Sequence, residues 1–274
     1  MGNATFNQGK DYFALGDATS GALKVKSSSE NRSKSSASGA NCYGDAAVVD
    51  SWGETVAPSA EYDVVDTVEH TIASPVVELG SVIAAADSGV KVGGTAVPVV
   101  FGSLAIRTQN GAAPSVTANG QAVQTGATTV RTYCLPAFTL SPRHRAQDFL
   151  SLCTIKKGSG TLTVADPATD YGLDTVSANF PIAFNLAQPK GETCNYDIHG
   201  DMVTVDYAMN WYATGEPTIV LASTVTLRTS SAATSNTSTV APTMSTPVSE
   251  ECPEGGYVRY TWQVSFPLIG YEAS

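Results

Sequence analysis

The chain reads as a mainly β protein: an antiparallel β-sandwich or barrel with one flanking α-helix and long extended arms and loops. Three observations carry this expectation. In residues 202–212 (MVTVDYAMNWY), Val203, Val205, Tyr207, Met209 and Trp211 take the odd positions, with Thr204, Asp206 and Asn210 between them. Side chains alternate across a strand, so this is a half-buried strand with its aromatic weight on one face. The alternation recurs in Ile219, Leu221, Val225 and Leu227, after a hairpin-length connection at 213–217, and again in Val258, Tyr260, Trp262, Val264, Phe266 and Leu268. These three runs are expected to share one antiparallel sheet. The helix is placed at 141–157, where Ser141 can cap and Pro142 sits at the first helical position. Phe149, Leu152 and Cys153 would form its apolar stripe, and Lys156, Lys157 and Gly158 its C-terminal signals.

In chain order, 1–20 form an extended arm carrying Phe6, Tyr12, Phe13 and Leu15. An arm with exposed aromatics orders only when something holds it, here expected to be a neighbouring subunit. Residues 22–38 (ALKVKSSSENRSKSSAS) place Lys24, Lys26, Ser28, Glu30, Arg32 and Lys34 on one strand face, and neither face is apolar. Two readings stand: a disordered Ser-rich linker, or a long strand of a multi-subunit sheet with acidic partners on the next subunit. A glycine turn at 39–45 and a return strand from Ala46 make a hairpin the natural continuation. Tyr62, Val64, Val68 and Ile72 continue the alternation.

Apolar runs at 76–86 and 96–106 follow, with Pro98 marking the second as an edge or bulge. Asn110-Gly111 and Asn119-Gly120 are both hairpin signals. Residues 74–130 are a candidate Gly/Ala-rich insertion in a single domain spanning 21–274. Short strands are expected at 129–135, 161–164 and 176–186, with Pro181 at an edge. The Ser/Thr segment 229–250 is read as a long loop ordered on a neighbour, since structureless loops of this length are uncommon inside compact domains.

Composition narrows the function classes. Only 15% of residues are charged, against about 25% in typical domains. Fifteen basic and 25 acidic residues give a net charge of −10, which opposes tight binding of nucleic-acid phosphates. The N-terminal residues lack a basic region followed by an apolar run, and no apolar segment reaches the 18 or so residues of a membrane span. Five widely spaced cysteines without C-x-x-C are expected to be reduced thiols.

No nucleophile elbow, phosphate loop, zinc-protease or calcium-loop motif is present, so neither an enzyme nor a cofactor is expected. Asp197, His199 and Asp201 alternate and could face a metal, but the same letters fit a tight turn at Gly200. Arg143, His144 and Arg145 crowd the expected helix N-terminus, where positive charge asks for an acidic partner.

The layout, a Ser-rich polar strand with a glycine turn and return strand (23–65), a capped helix (141–157) and amphipathic antiparallel strands (202–268), resembles the tail tube proteins of long-tailed phages. That resemblance implies a virion subunit made in the host cytoplasm, packing into stacked rings with copies of itself and other virion proteins. DNA would pass through the channel without sequence-specific binding, and no membrane is involved. It makes Lys24, Lys26, Arg32, Lys34, Arg143 and Arg145 the expected intersubunit contacts, and Asp63, Glu69, Glu78 and Asp87 the expected channel-lining residues. A capsid decoration or head protein, and a surface adhesin or carbohydrate-binding β-module, are the alternatives. Circular dichroism should report helix far below about a third of residues, the globular average; a higher value would exclude the β reading.

Overall fold

The computed structural model describes residues 9–13, 15, 23–40, 46–64, 70–72, 79–123, 131–141, 144–162, 170–187, 195–228 and 237–272. It is mainly β, and its largest element is an eleven-stranded antiparallel sheet. The strands are β1 (Leu23–Ala40), β2 (Ala46–Val64), β3 (Val82–Ile83), β4 (Val99–Gln109), β5 (Ala112–Ala122) and β6 (Tyr171–Ala187). They continue with β7 (Asn195–Gly200), β8 (Met202–Trp211), β9 (Thr243–Met244), β10 (Val248–Cys252) and β11 (Tyr257–Pro267). The spatial order is β1-β2-β5-β4-β6-β8-β11-β9, with β7 on β6, β10 on β11 and β3 on β4.

One face of this sheet is apolar. Val203, Val205, Tyr207, Met209 and Trp211 of β8 are all buried, as their alternation requires, and Trp262, Val264 and Phe266 of β11 join them. Tyr207 lies opposite Trp262 in the register, and their rings stack with centroids 5.0 Å apart. Short sheets cover this face: Leu135–Pro136 with Val225–Arg228 and Thr237–Val240, and Gly160–Leu162 with Cys153–Lys157 and Pro217–Leu221. Leu135, Ile155, Val225 and Leu227 from these pieces are buried in the same core.

The expected helix at 141–157 is not formed. Residues 144–152 run as an irregular loop and Cys153–Lys157 is a strand; the α-helix among the described residues is instead α1 (Ala85–Ser88). The loop's backbone donors go to side chains and to tight-turn carbonyls such as Gln147 O and Asp148 O rather than to carbonyls four residues back. Ala146 N donates to Asn110 Oδ1, Gln147 N to Thr108 Oγ1 and Cys153 N to Asp148 Oδ2. Phe149 and Leu152 are buried as expected, but from a loop.

The three-strand expectation also changes. β11 pairs with β8 along its whole length, whereas Pro217–Leu221 pairs with Cys153–Lys157 and Val225–Arg228 with Thr237–Val240. After Trp211 the chain turns out of the sheet, held by Tyr212 N and Ala213 N donating to Asp170 O and by Trp211 Nε1 donating to Gly215 O. The Ser/Thr segment at 229–250 pairs with its own chain through Thr237–Val240, β9 and β10; residues 229–236 lie outside the described residues.

Residues 74–130 supply β4 and β5, which lie between β2 and β6 and are integral to the sheet. Asn110-Gly111 is the turn between them, with Gly111 at φ 80°. Asn119-Gly120 is no turn: it sits inside β5, where a Cβ on Gly120 would fall 2.7 Å from Val100 O and 2.8 Å from the Phe13 ring. Pro98 precedes interior strand β4 rather than marking an edge, and Pro181 sits where β6 passes from pairing β4 and β8 to pairing β7. At Gly200 the chain does not reverse: β7 and β8 both lie along β6, and the Gly200 backbone packs against the Tyr133 ring.

Of the expected arm, residues 9–13 and 15 dock in cis, while 1–8, 14 and 16–20, Phe6 among them, lie outside the described residues. Phe13 is 0% exposed and packs on Phe101, Asp11 accepts from the Tyr62 hydroxyl, and the Tyr12 hydroxyl donates to Glu30. Its burial against the chain's own core offsets the ordering entropy that a neighbour was expected to offset. Phe13→Ala should lower the unfolding free energy by about 3 to 5 kcal/mol in urea titrations of the isolated subunit; an unchanged midpoint would mean that the arm is held elsewhere.

Candidate functional site

The Ser-rich run is a strand, not a linker: β1 and β2 pair as a hairpin from Leu23↔Val64 to Ala40↔Ala46. The six residues expected on one face do not share it. A bulge between Val25 and Ser27 inserts Lys26 as an extra residue, and a one-residue insertion reverses the facing of everything beyond it. Lys24 lies across from Asp63, on the polar side, while Glu30 and Arg32 lie across from buried Pro58 and Val56.

The acidic partners expected for this strand are present within the hairpin. Lys26 Nζ is 3.0 Å from Glu61 and 3.8 Å from Asp63, and Arg32 bonds Glu30 and, at 3.0 Å, Glu54. Burial works to raise the Glu30 carboxyl, but hydrogen bonds from Arg32 and Tyr12 hold it below the usual range. Tyr12 is pushed up to about 12 by burial and then by Glu30. Lys24 and Lys34 are exposed and form no ion pair among the described residues.

The second face of the main sheet is polar. In register across six strands stand Asp63, Ser115, Arg107, Ser177, Asp206 and Gln263, and beside them, across seven, Glu61, Thr117, Ala105, Asn179, Thr204, Ser265 and Thr243. Small side chains between Arg107 and Asp206 leave a shallow open groove of about 280 Å³. Gln263 Nε2 donates to Asp206 Oδ1, and Thr243 and Ser265 share a hydroxyl bond. Uncharged hydroxyls and amides dominate this face.

Of the other expected contacts, Arg145 is exposed on the 144–152 loop and Arg143 lies outside the described residues. The argument from a helix N-terminus falls with the helix. Among the expected channel residues, Asp63 is on the polar face beside Lys26, Asp87 is exposed on α1, and Glu69 and Glu78 lie outside the described residues. The sequence reading missed Arg107, Asp206, Glu54 and Glu61. Counting inward from the paired ends Ala40 and Ala46 would have set Glu61 near Lys26 and Glu54 near Arg32.

One buried group has the composition of a chemical site. Asp148 accepts from the Tyr207 hydroxyl and Cys153 N, each at 2.8 Å, and Trp262 Nε1 donates to Cys153 Sγ at 3.4 Å. Burial raises Asp148 and Tyr207 and pushes the Cys153 thiol up to about 11, the opposite of what activates a thiol. The cluster ties the loop to the stacked pair Tyr207–Trp262. Cys153 and Cys252 are free thiols, and the described residues hold no group of three His, Cys, Asp or Glu arranged for a metal; the side chains of Asp197 and His199 lie outside the description.

Comparison with known families and with curated proteins finds no match.

Because the Asp148 carboxyl holds its proton more tightly when folded, its contribution is greatest below its ordinary value of 3.8 and is lost as pH rises through the raised folded value. Asp148→Asn should abolish that decline, so the stability of wild type minus variant should fall with rising pH in urea titrations. A difference that stays constant with pH would show the carboxyl to be unperturbed.

Proposed function

We propose that this chain is a structural virion subunit that assembles with copies of itself, of the tail tube type, with the polar face of its main sheet toward a channel. The observation that carries the reading is the β1–β2 ribbon. β2 pairs with β5 only from Ser59 to Asp63, so residues 30–40 and 46–58 run on with no further strand beside them among the described residues, their root held at the buried Val56 and Pro58. At about 3.3 Å per residue the extension reaches about 40 Å. A two-stranded ribbon is marginal in water, and one that runs on past the buried Val56 without a third strand fits an arm that gains its stability on a neighbouring subunit.

The polar face supports the same reading. A channel that passes DNA needs a wall that holds phosphate weakly, because each neutralised phosphate adds counterion-release affinity and slows passage. Hydroxyls and amides, with Lys26 already paired to Glu61 and Asp63, meet that need. Other virion proteins would meet the assembly at its ends.

Negative-stain microscopy of the purified subunit tests the proposal. Rings or tubes are the expected outcome. Particles that bind capsids without forming tubes would make it a head protein, and inert monomers at all concentrations would overturn the assembly reading.

A further inference from the structure

Among the described residues both ends of the main sheet lack a further strand: none pairs β1 on its outer side, where Gly9 and Lys10 lie against Val25–Ser28, and β9 and β10 pair with nothing but β11. Such edges present unpaired N–H and C=O groups, a template for another chain. Every pairing along the path is antiparallel and the path holds eight strands, so β1 runs opposite to β9 and β10. A copy rotated about an axis along the strands therefore brings its β9–β10 edge to β1 antiparallel, and the alternation continues across the boundary without a break.

The two edges also carry opposite charge. From Lys24 to Lys34, β1 holds four cations and the single acid Glu30; Lys26 and Arg32 are paired within the hairpin, which leaves Lys24 and Lys34 exposed. β10 and the 3₁₀ turn Pro253–Gly255 hold Glu250, Glu251 and Glu254 and no base, all three exposed and without an ion pair among the described residues. Arg259, opposite Glu250 in the register, is instead bound to Asp174. Val248, 65% exposed, adds an uncovered apolar side chain to the same edge. Edge charges of one sign would keep copies apart, whereas these attract.

We propose that β1 of one copy pairs with the β9–β10 edge of the next, head to tail, so that the main sheet continues from subunit to subunit with the cationic strand against the acidic one. The contact is heterologous, and rotation closes it into a ring. This rests on the self-assembly reading and names its lateral interface.

The test compares wild type, Lys24→Glu/Lys34→Glu, Glu250→Lys/Glu251→Lys and an equimolar mixture of the two variants by light scattering across concentration and salt, with circular dichroism to verify folding. Wild type should assemble, less so as salt rises, since exposed charges are screened over about 10 Å at 0.1 M. Each variant alone carries one sign on both edges and should need at least about tenfold more protein to assemble, the equivalent of about 1.4 kcal/mol. The mixture should recover assembly, because each variant's altered edge then meets an opposite one. A folded variant that assembles like wild type, or a folded mixture that does not recover, overturns this interface while leaving self-assembly standing. Wild type that remains monomeric throughout overturns both.

Discussion

The two-residue period of the main sheet is the constraint from which the other features follow. Each of its long strands must bury one set of alternate side chains, and a slip of one residue would send Trp211, Tyr207 and Met209 to water and Asp206 into the core. Pairing Tyr207 with Trp262 locks β8 to β11 in the one register that buries both rings. Where the described strands depart from the period they do so by register shifts, at Lys26, between Ser33 and Ser35, between Ala37 and Ser38, and at Gly102, Thr108 and Asp174; those at Lys26, Gly102 and Asp174 reset which residues face the core.

Those resets shape the electrostatics. The bulge at Lys26 sends Lys24 and Lys26 toward Asp63 and Glu61, while Arg32 folds over Val56 and Pro58 with Glu30, Glu54 and Tyr12 around it. Two of the four cations of this strand, Lys26 and Arg32, are thus neutralised within its own hairpin. What it leaves without a third strand is an edge, whose unpaired N–H and C=O groups can template another strand.

The core face is closed by pieces that are individually too short to be stable. Two- and three-residue strands, the 144–152 loop and the N-terminal segment each lie on the sheet through a few anchors: Phe13 against Gly120 and Phe101, Asp148 on Tyr207, Asn110 on Ala146 and Leu173. Their order derives from the sheet beneath them.

Much of the main sheet was legible in the residues: the facing of 202–211 and 257–267, the pairing of β1 with β2, and the two-residue turn at Asn110-Gly111. These rest on local properties, a side-chain period or a backbone conformation that a few neighbours settle. The expected contact residues were legible as a charged strand, but not their partners, because a single bulge changes the face and no composition announces it. Capping residues and an apolar stripe pointed to a helix at 141–157, yet Thr108, Asn110 and Asp148 bind the backbone donors that a helix would use. The strand after Trp211 alternates correctly and still leaves β8, because a period says which face is buried and not against which strand. The sequence by itself determined which side chains go inward; the choice of neighbours was made by tertiary structure, since pairing energy is summed over residues tens to hundreds of positions apart.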